Sequence, residues 1–208
     1  MFEKLRIPLK PISEFIASFF AWVHPNVITI GGFLLGFIPV YFFIKGNTTL
    51  AAVGMIFYIS DFLDGAVARL TGRVSLFGEV LDATLDRITD GFLIFSIAQG
   101  GFISWTLAFI TLLGFYLVSY TRARVGEASA KRVKLNVGIA QRGDRILLIL
   151  LASIFYFDKI YIPILDLSVN SFEIVFVILL ILTWLTAIWR MIVAYKELNI
   201  KHNNEKSI

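Results

Sequence analysis

Six apolar runs, each long enough to cross a bilayer, fix what this chain can become. They lie near residues 26–44, 49–69, 79–102, 104–124, 140–157 and 169–192. In hydrocarbon every backbone N–H and C=O needs a partner inside the protein, and only helices or closed barrels supply one. The runs are continuous rather than alternating, so helices are expected. Only 16% of the 208 residues are charged and 58% are hydrophobic, where soluble domains carry about 25% charge. The fold class is therefore all-α integral membrane, with six transmembrane helices. Ahead of them, residues 11–23 (PISEFIASFFAWV) read as an amphipathic juxtamembrane helix lying in the inner interface and packing on the bundle. His24-Pro25-Asn26 breaks it, and Asn26 is expected to cap the first spanning helix. No internal repeat or composition shift marks a second domain, so residues 1–208 are read as one membrane domain. The polar tail KELNIKHNNEKSI is expected to fray.

Basic residues set the orientation. With the N-terminus in the cytoplasm, all but Lys45 and Lys159 of the 19 Lys and Arg residues fall on the inner side. Six spans then leave both termini in the cytoplasm of a multi-pass cell-membrane protein. The net charge of +4 follows from this sorting, and no nucleic-acid partner is expected. Cysteine is absent, which excludes disulfides and thiolate metal sites. The N-terminus MFEKLRIPLKPISEF places charges and two prolines before any apolar run, unlike a cleavable signal peptide.

Against this oily background stand four aspartates: Asp61, Asp64, Asp82 and Asp86. A lone carboxylate at a membrane-helix centre costs roughly 3 kcal/mol. The first pair is spaced i, i+3 and the second i, i+4, so each pair shares a helix face. A short loop around Gly72–Phe77 makes the two helices antiparallel neighbours, with the acids facing each other. Arg69 and Arg87 could form a buried ion-pair network with them. Two arginines against four aspartates, however, leave an excess of negative charge that cations must match. All-oxygen ligation suits Mg²⁺, Mn²⁺ or Ca²⁺, and a pair of such ions can clamp a phosphoryl group during in-line displacement. Asp90, one turn further on, reads as a structural partner, and Glu79 as a helix-dipole partner. Gly65 and Gly78 let a bulky ligand approach the backbone.

The string Asp61-x2-Asp64-Gly65-x2-Ala68-Arg69-x8-Gly78-x3-Asp82-x3-Asp86 resembles, without a departure, the signature of the CDP-alcohol phosphatidyltransferase family. The resemblance implies transfer of a substituted phosphate from a CDP-linked donor to an alcohol, releasing CMP. By carry-over, Asp61, Asp64, Asp82 and Asp86 hold two Mg²⁺ ions, or Mn²⁺, and Asp86 is the general base on the acceptor hydroxyl. Gly65, Ala68, Arg69 and Gly78 would cradle the cytidine and its diphosphate. The resemblance also implies a homodimer with its active sites on the cytoplasmic side.

A second set of motifs bears on the acceptor. Ser119-Tyr120-Thr121-Arg122-Ala123-Arg124 and Gly138-Ile139-Ala140-Gln141-Arg142-Gly143-Asp144-Arg145 resemble those of one branch, the phosphatidylinositol phosphate and archaetidylinositol phosphate synthases. Arginines converging on one pocket make a phosphate site, whereas Lys131, Arg132 and Lys134 are accounted for by topology alone. The resemblance gives Arg122, Arg142 and Arg190, with Arg124 beside them, the phosphate of inositol phosphate. It places Asn26, Val27, Ile28, Thr29 and Ser75 near the donor nucleotide. The donor would be CDP-diacylglycerol or CDP-archaeol, which share the headgroup the motif reads. A glycerol 3-phosphate acceptor, as in phosphatidylglycerol phosphate synthases, is the rival within the family. A divalent-metal transporter is the rival outside it, though no inverted repeat is visible.

Overall fold

The computed structural model describes residues 15–129, 138–162 and 167–206, with the side chains of 59–62, 162, 167 and 199–206 outside the described set. Residues 11–14 of the expected interfacial helix, and Lys131, Arg132 and Lys134, lie outside the described residues. The described part is helical apart from one ribbon. α1 (Pro25–Leu35), α2 (Phe37–Ile44), α3 (Thr48–Gly54), a 3₁₀ segment (Met55–Ile59), α4 (Ser60–Leu70) and α5 (Leu76–Gln99) come first. α6 (Trp105–Ala128), α7 (Arg142–Ile154), β1 (Ile160–Ile162), β2 (Leu167–Val169) and α8 (Ser171–Lys206) follow.

Four helical stretches are long and apolar enough to cross a membrane: Pro25–Ile44, Thr48–Leu70, Trp105–Ala128 and Ser171–Leu198. The protein is thus a helical membrane protein. α5 has 24 residues, about 36 Å of helix, but carries Glu79, Asp82, Asp86, Arg87 and Asp90. α7 has 13 residues, about 20 Å, against a hydrocarbon core of about 30 Å.

Three details depart from the sequence reading. The run expected at 140–157 is helical only to Ile154. The following IYI and LSV segments pair antiparallel, Ile160 opposite Val169, because β-branched and aromatic residues favour a pleated strand. The tail expected to fray is helical to Lys206. The cap of α1 is His24, not Asn26: the His24 side chain accepts from the Asn26 N–H, and Pro25 occupies the first helical position. Proline forces its predecessor out of helical backbone, so the cap must precede Pro25.

By internal contacts the chain falls into two compact units, Met1–Phe102 with Leu150–Phe157, and Ile103–Ile149 with Asp158–Ile208. In the first, α1 packs against both α4 and α5, and α2 packs against α3 and α5. Ala17, on a helical turn over residues 15–19, is buried with Ala66 and Val67 of α4, and Ile28 packs against them. Phe15, Phe19 and Trp22 are exposed. Phe37 of α2 meets Phe92 of α5 at 5.1 Å between ring centres.

Gly100 closes α5 directly against α2, where an added Cβ would fall on the Phe43 carbonyl oxygen and the Phe102 ring. Gly100→Ala should therefore lower stability by about 1–3 kcal/mol through overpacking. Thermal unfolding in detergent measures this, and an unchanged midpoint would mean the two backbones separate at no cost.

In the second unit α6 and α8 pack along their length. Gly114 of α6 lies against Thr183 and Trp184, leaving no room for a side chain. The Trp184 indole donates to the Ile110 carbonyl at 3.2 Å. Gly138, at φ +119°, fits its backbone against Thr186.

Candidate functional site

Asp61 and Asp64 lie on α4 and Asp82 and Asp86 on α5, each set back along its helix from the loop that joins the two. The side chain of Asp61 is outside the described set. Asp64 is 6% exposed. Its Oδ2 accepts from the Thr29 hydroxyl at 2.5 Å and its Oδ1 from the Gly65 N–H at 2.5 Å. Asp82 Oδ1 is buried with no hydrogen-bond partner. Asp86 Oδ2 stands 3.2 Å from Arg87 Nη1, which also donates to the Ala83 carbonyl at 2.9 Å. The carboxylates of Asp64, Asp82 and Asp86 lie within electrostatic reach of one another, and the buried Asp90 acts on Asp86 as well. The principal contacts of α4 and α5 are with other helices, α1 among them, rather than with each other.

This arrangement fits a hard cation. A buried carboxylate oxygen without a donor costs about 1–3 kcal/mol or more. Mutual repulsion among the three acids adds to that cost. A hard cation with oxygen preference relieves both. Among the described residues no three His, Cys, Asp or Glu side chains stand close enough to hold one ion together. The orphaned Asp82 oxygen and the all-oxygen donor set carry the fit.

The expected donor residues divide. Asn26, Ser75 and Gly78 come together: a Cβ on Gly78 would lie 3.0 Å from Ser75 Oγ and 3.2 Å from Asn26 Oδ1. The Ser75 hydroxyl caps α5 by accepting from the Gly78 N–H at 3.0 Å. With His24 as the cap of α1, the Asn26 amide is turned toward α5. Gly65 and Arg69 also meet, the Arg69 Nη1 lying 3.2 Å from where a Gly65 Cβ would be. Its charge acts on Asp64. Ala68 is half-buried on the same helix. Val27 is 58% exposed, and Ile28 packs into the apolar core, so neither side chain joins this group.

The second unit holds the cationic residues. Arg190 of α8 is 3% exposed and donates to the Val118 carbonyl of α6. The charges of Arg122 and Arg145 act on it. Arg145 is 2% exposed, its guanidinium 4.2 Å from the centre of the Phe115 ring. Cation–π contact of this kind offsets part of the cost of burying the charge. Arg142 begins α7. Arg124 is turned away, bonded to Glu127 at 2.5 Å on the exposed side of α6. In the sequence Arg145 stands out only as the last residue of the second motif. Its spacing from Arg142 was visible, but its stack on Phe115, 30 positions earlier, was not.

A shallow cavity lined by Thr49, Ala52, Val53, Ser153 and Ile154 contains none of these residues.

Residues 22–189 match the family model described as CDP-alcohol phosphatidyltransferase. The archaetidylinositol phosphate synthase of Pyrococcus horikoshii is 40% identical over 200 residues, covering 95% of this chain and 96% of that protein. The crystal structure of Mycobacterium tuberculosis phosphatidylinositol phosphate synthase with CDP-DAG bound is 26% identical, at a TM-score of 0.72. It covers 89% of this chain and 94% of that one. The same enzyme in complex with manganese and citrate gives a TM-score of 0.70 at 25% identity, covering 88% of each chain. A family match over most of its length, together with a close full-length relative, establishes that this chain is an enzyme belonging to the CDP-alcohol phosphatidyltransferase family.

Proposed function

We propose that this enzyme transfers a lipid-linked phosphate from a CDP-lipid to a hydroxyl of inositol phosphate, releasing CMP. The observation that carries the transfer chemistry is the acidic group of Asp64, Asp82 and Asp86, with its orphaned Asp82 oxygen. Asp61, Asp64, Asp82 and Asp86 would hold two Mg²⁺ ions, with Mn²⁺ an alternative. When bound, those ions would supply charge neutralisation on the diphosphate and on the leaving CMP. The chain's own residues bind, orient and move the proton. Asn26, Ser75 and Gly78 offer an amide, a hydroxyl and an open backbone to the cytidine. Arg69 adds positive charge for the diphosphate. Asp86 takes the proton of the acceptor hydroxyl as its oxygen bonds to the lipid-linked phosphorus and the bond to CMP breaks.

The acceptor reading rests on Arg122 of α6, Arg145 of α7 and Arg190 of α8, with Arg142 at the start of α7. Arg145 and Arg190 are buried and Arg122 is exposed beside them; guanidinium groups acting on one another are favoured when an anion lies among them, and a phosphate accepts bidentate bonds from such groups. The names of the similar synthases support inositol phosphate as the carrier of that phosphate. The lipid is archaeol or diacylglycerol.

The same reading extends to architecture. Residues 1–208 form one catalytic membrane domain with six spans, α5 and α7 being the fifth and sixth members beside the four long apolar stretches. The segment near residue 15 lies in the inner interface. Both termini and the site face the cytoplasm of the cell membrane, as the distribution of basic residues supports. The active form is a homodimer.

The test is CMP release by purified protein with either CDP-lipid and a panel of alcohols and alcohol phosphates. Inositol phosphate with Mg²⁺ should give turnover that EDTA abolishes. Incorporation of glycerol 3-phosphate in place of inositol phosphate would overturn the acceptor assignment. Turnover indifferent to EDTA would overturn the metal assignment.

A further inference from the structure

The most direct tie between the amino-terminal helix and the acidic group is a single hydroxyl. Thr29 Oγ1 lies 2.5 Å from Asp64 Oδ2 and 3.1 Å from the Pro25 carbonyl. A hydroxyl carries one proton, so it can donate to only one of them at a time. The carboxylate is the shorter contact and the charged acceptor, and charge-assisted bonds are the stronger kind. The proton therefore goes to Asp64, and the Pro25 carbonyl, one helical turn back, keeps its own backbone role.

Asp64 has little other freedom. It is 6% exposed, and its second oxygen accepts from the Gly65 N–H. Each carboxylate oxygen has two lone-pair directions. One donor on each oxygen thus fixes the plane of the group and still leaves each oxygen a direction open to a cation. Asp82 lacks such a clamp on its Oδ1, and Asp86 is held by its own neighbour Arg87. Thr29 thus reaches the acidic group from a different helix, through Asp64.

We infer that Thr29 is a positioning residue for the cation site: its hydroxyl orients the Asp64 carboxylate, and its contribution is exerted through Asp64 rather than through the nucleotide. This rests on the two-metal reading above. It reassigns a residue that family resemblance alone would give to nucleotide binding. Groups that hydrogen-bond to a ligating side chain commonly change metal affinity by about 10–100-fold when removed.

The test uses the full-length protein in detergent micelles and Mn²⁺ alone, with free Mn²⁺ read by electron paramagnetic resonance and no CDP-lipid present. Thr29→Val keeps the shape and removes the hydroxyl. It should weaken Mn²⁺ binding by about tenfold or more. Thr29→Ser restores the hydroxyl and should return affinity to within a few-fold of wild type. In an Asp64→Asn background Thr29→Val should add little, because the two changes act on one unit. Thermal unfolding of each variant checks that it is folded, and Thr29→Ala replaces the valine variant if that one is not. At saturating Mn²⁺ the KM for CDP-lipid should stay within a few-fold of wild type. Wild-type Mn²⁺ affinity in the hydroxyl-free variant, with a raised donor KM, overturns the inference and returns Thr29 to the nucleotide. Failure of the unaltered protein to bind Mn²⁺ at all overturns the metal reading itself, and this inference with it.

Discussion

Asp86→Asn should abolish turnover while leaving CDP-lipid binding largely intact. The amide keeps the size of the side chain but cannot take a proton, and general base catalysis is typically worth 10²–10⁴-fold. The same change removes one negative charge from a group that includes Asp64 and Asp82, so cation binding also weakens. Together these should lower kcat by about a thousandfold or more. Raising Mg²⁺ recovers only the part lost to cation binding. In the proposed reading, donor binding falls mainly to other residues, among them Asn26, Ser75, Gly78 and Arg69, so a Kd for CDP-lipid should change by less than about tenfold. CMP release at saturating Mg²⁺, compared with equilibrium binding of the donor, separates the two effects. Wild-type turnover in the variant would remove Asp86 from the proton transfer.

Arg190→Ala should raise the KM for inositol phosphate by about 30-fold or more and leave the KM for CDP-lipid nearly unchanged. Truncating one partner of a buried, hydrogen-bonded charge pair costs about 2–5 kcal/mol. The lower end corresponds to that change in KM. Arg190 also donates to the Val118 carbonyl, so the alanine variant loses a helix–helix bond as well as a charge. A purely structural loss would raise both KM values, or lower kcat, together. Arg190→Lys separates the possibilities, since it keeps the charge but not the bidentate fork, and should fall between wild type and alanine. Steady-state kinetics with each substrate varied in turn decides it: equal shifts in both KM values would dissolve the acceptor role.

The helical fold was legible because it follows from solvent: apolar runs of this length have few alternatives in a bilayer. The aspartates were legible because charge there needs a reason, and three of the four side chains can be seen to act on one another. What remained hidden depended on contacts distant in sequence. Nothing near Arg145 reveals its stack on Phe115. The pairing of Arg124 with Glu127, by contrast, was readable from their i, i+3 spacing. The capping role of His24 was readable from the proline rule, and Asn26 was preferred only because asparagine is the commoner cap. Val27 and Ile28 differ in their surroundings although the motif treats them alike. Their backbone sits in the matching segment, while one side chain is exposed and the other lies in the core.

The 3₁₀ segment Met55–Ile59 changes the azimuth of everything after it. A 3₁₀ turn advances 120° per residue and an α-helix 100°. Five residues of it carry the following helix round by about 100° relative to an unbroken α-helix, and lengthen the rod by about 2.5 Å. The outward stripe of α3 and the acidic stripe of α4 are therefore phased separately along one continuous rod. A helical wheel drawn through Thr48–Leu70 as a whole would aim Asp64 at the wrong quadrant. Adding or deleting a single residue near Met55 should thus misdirect the acids while the membrane anchor stays seated.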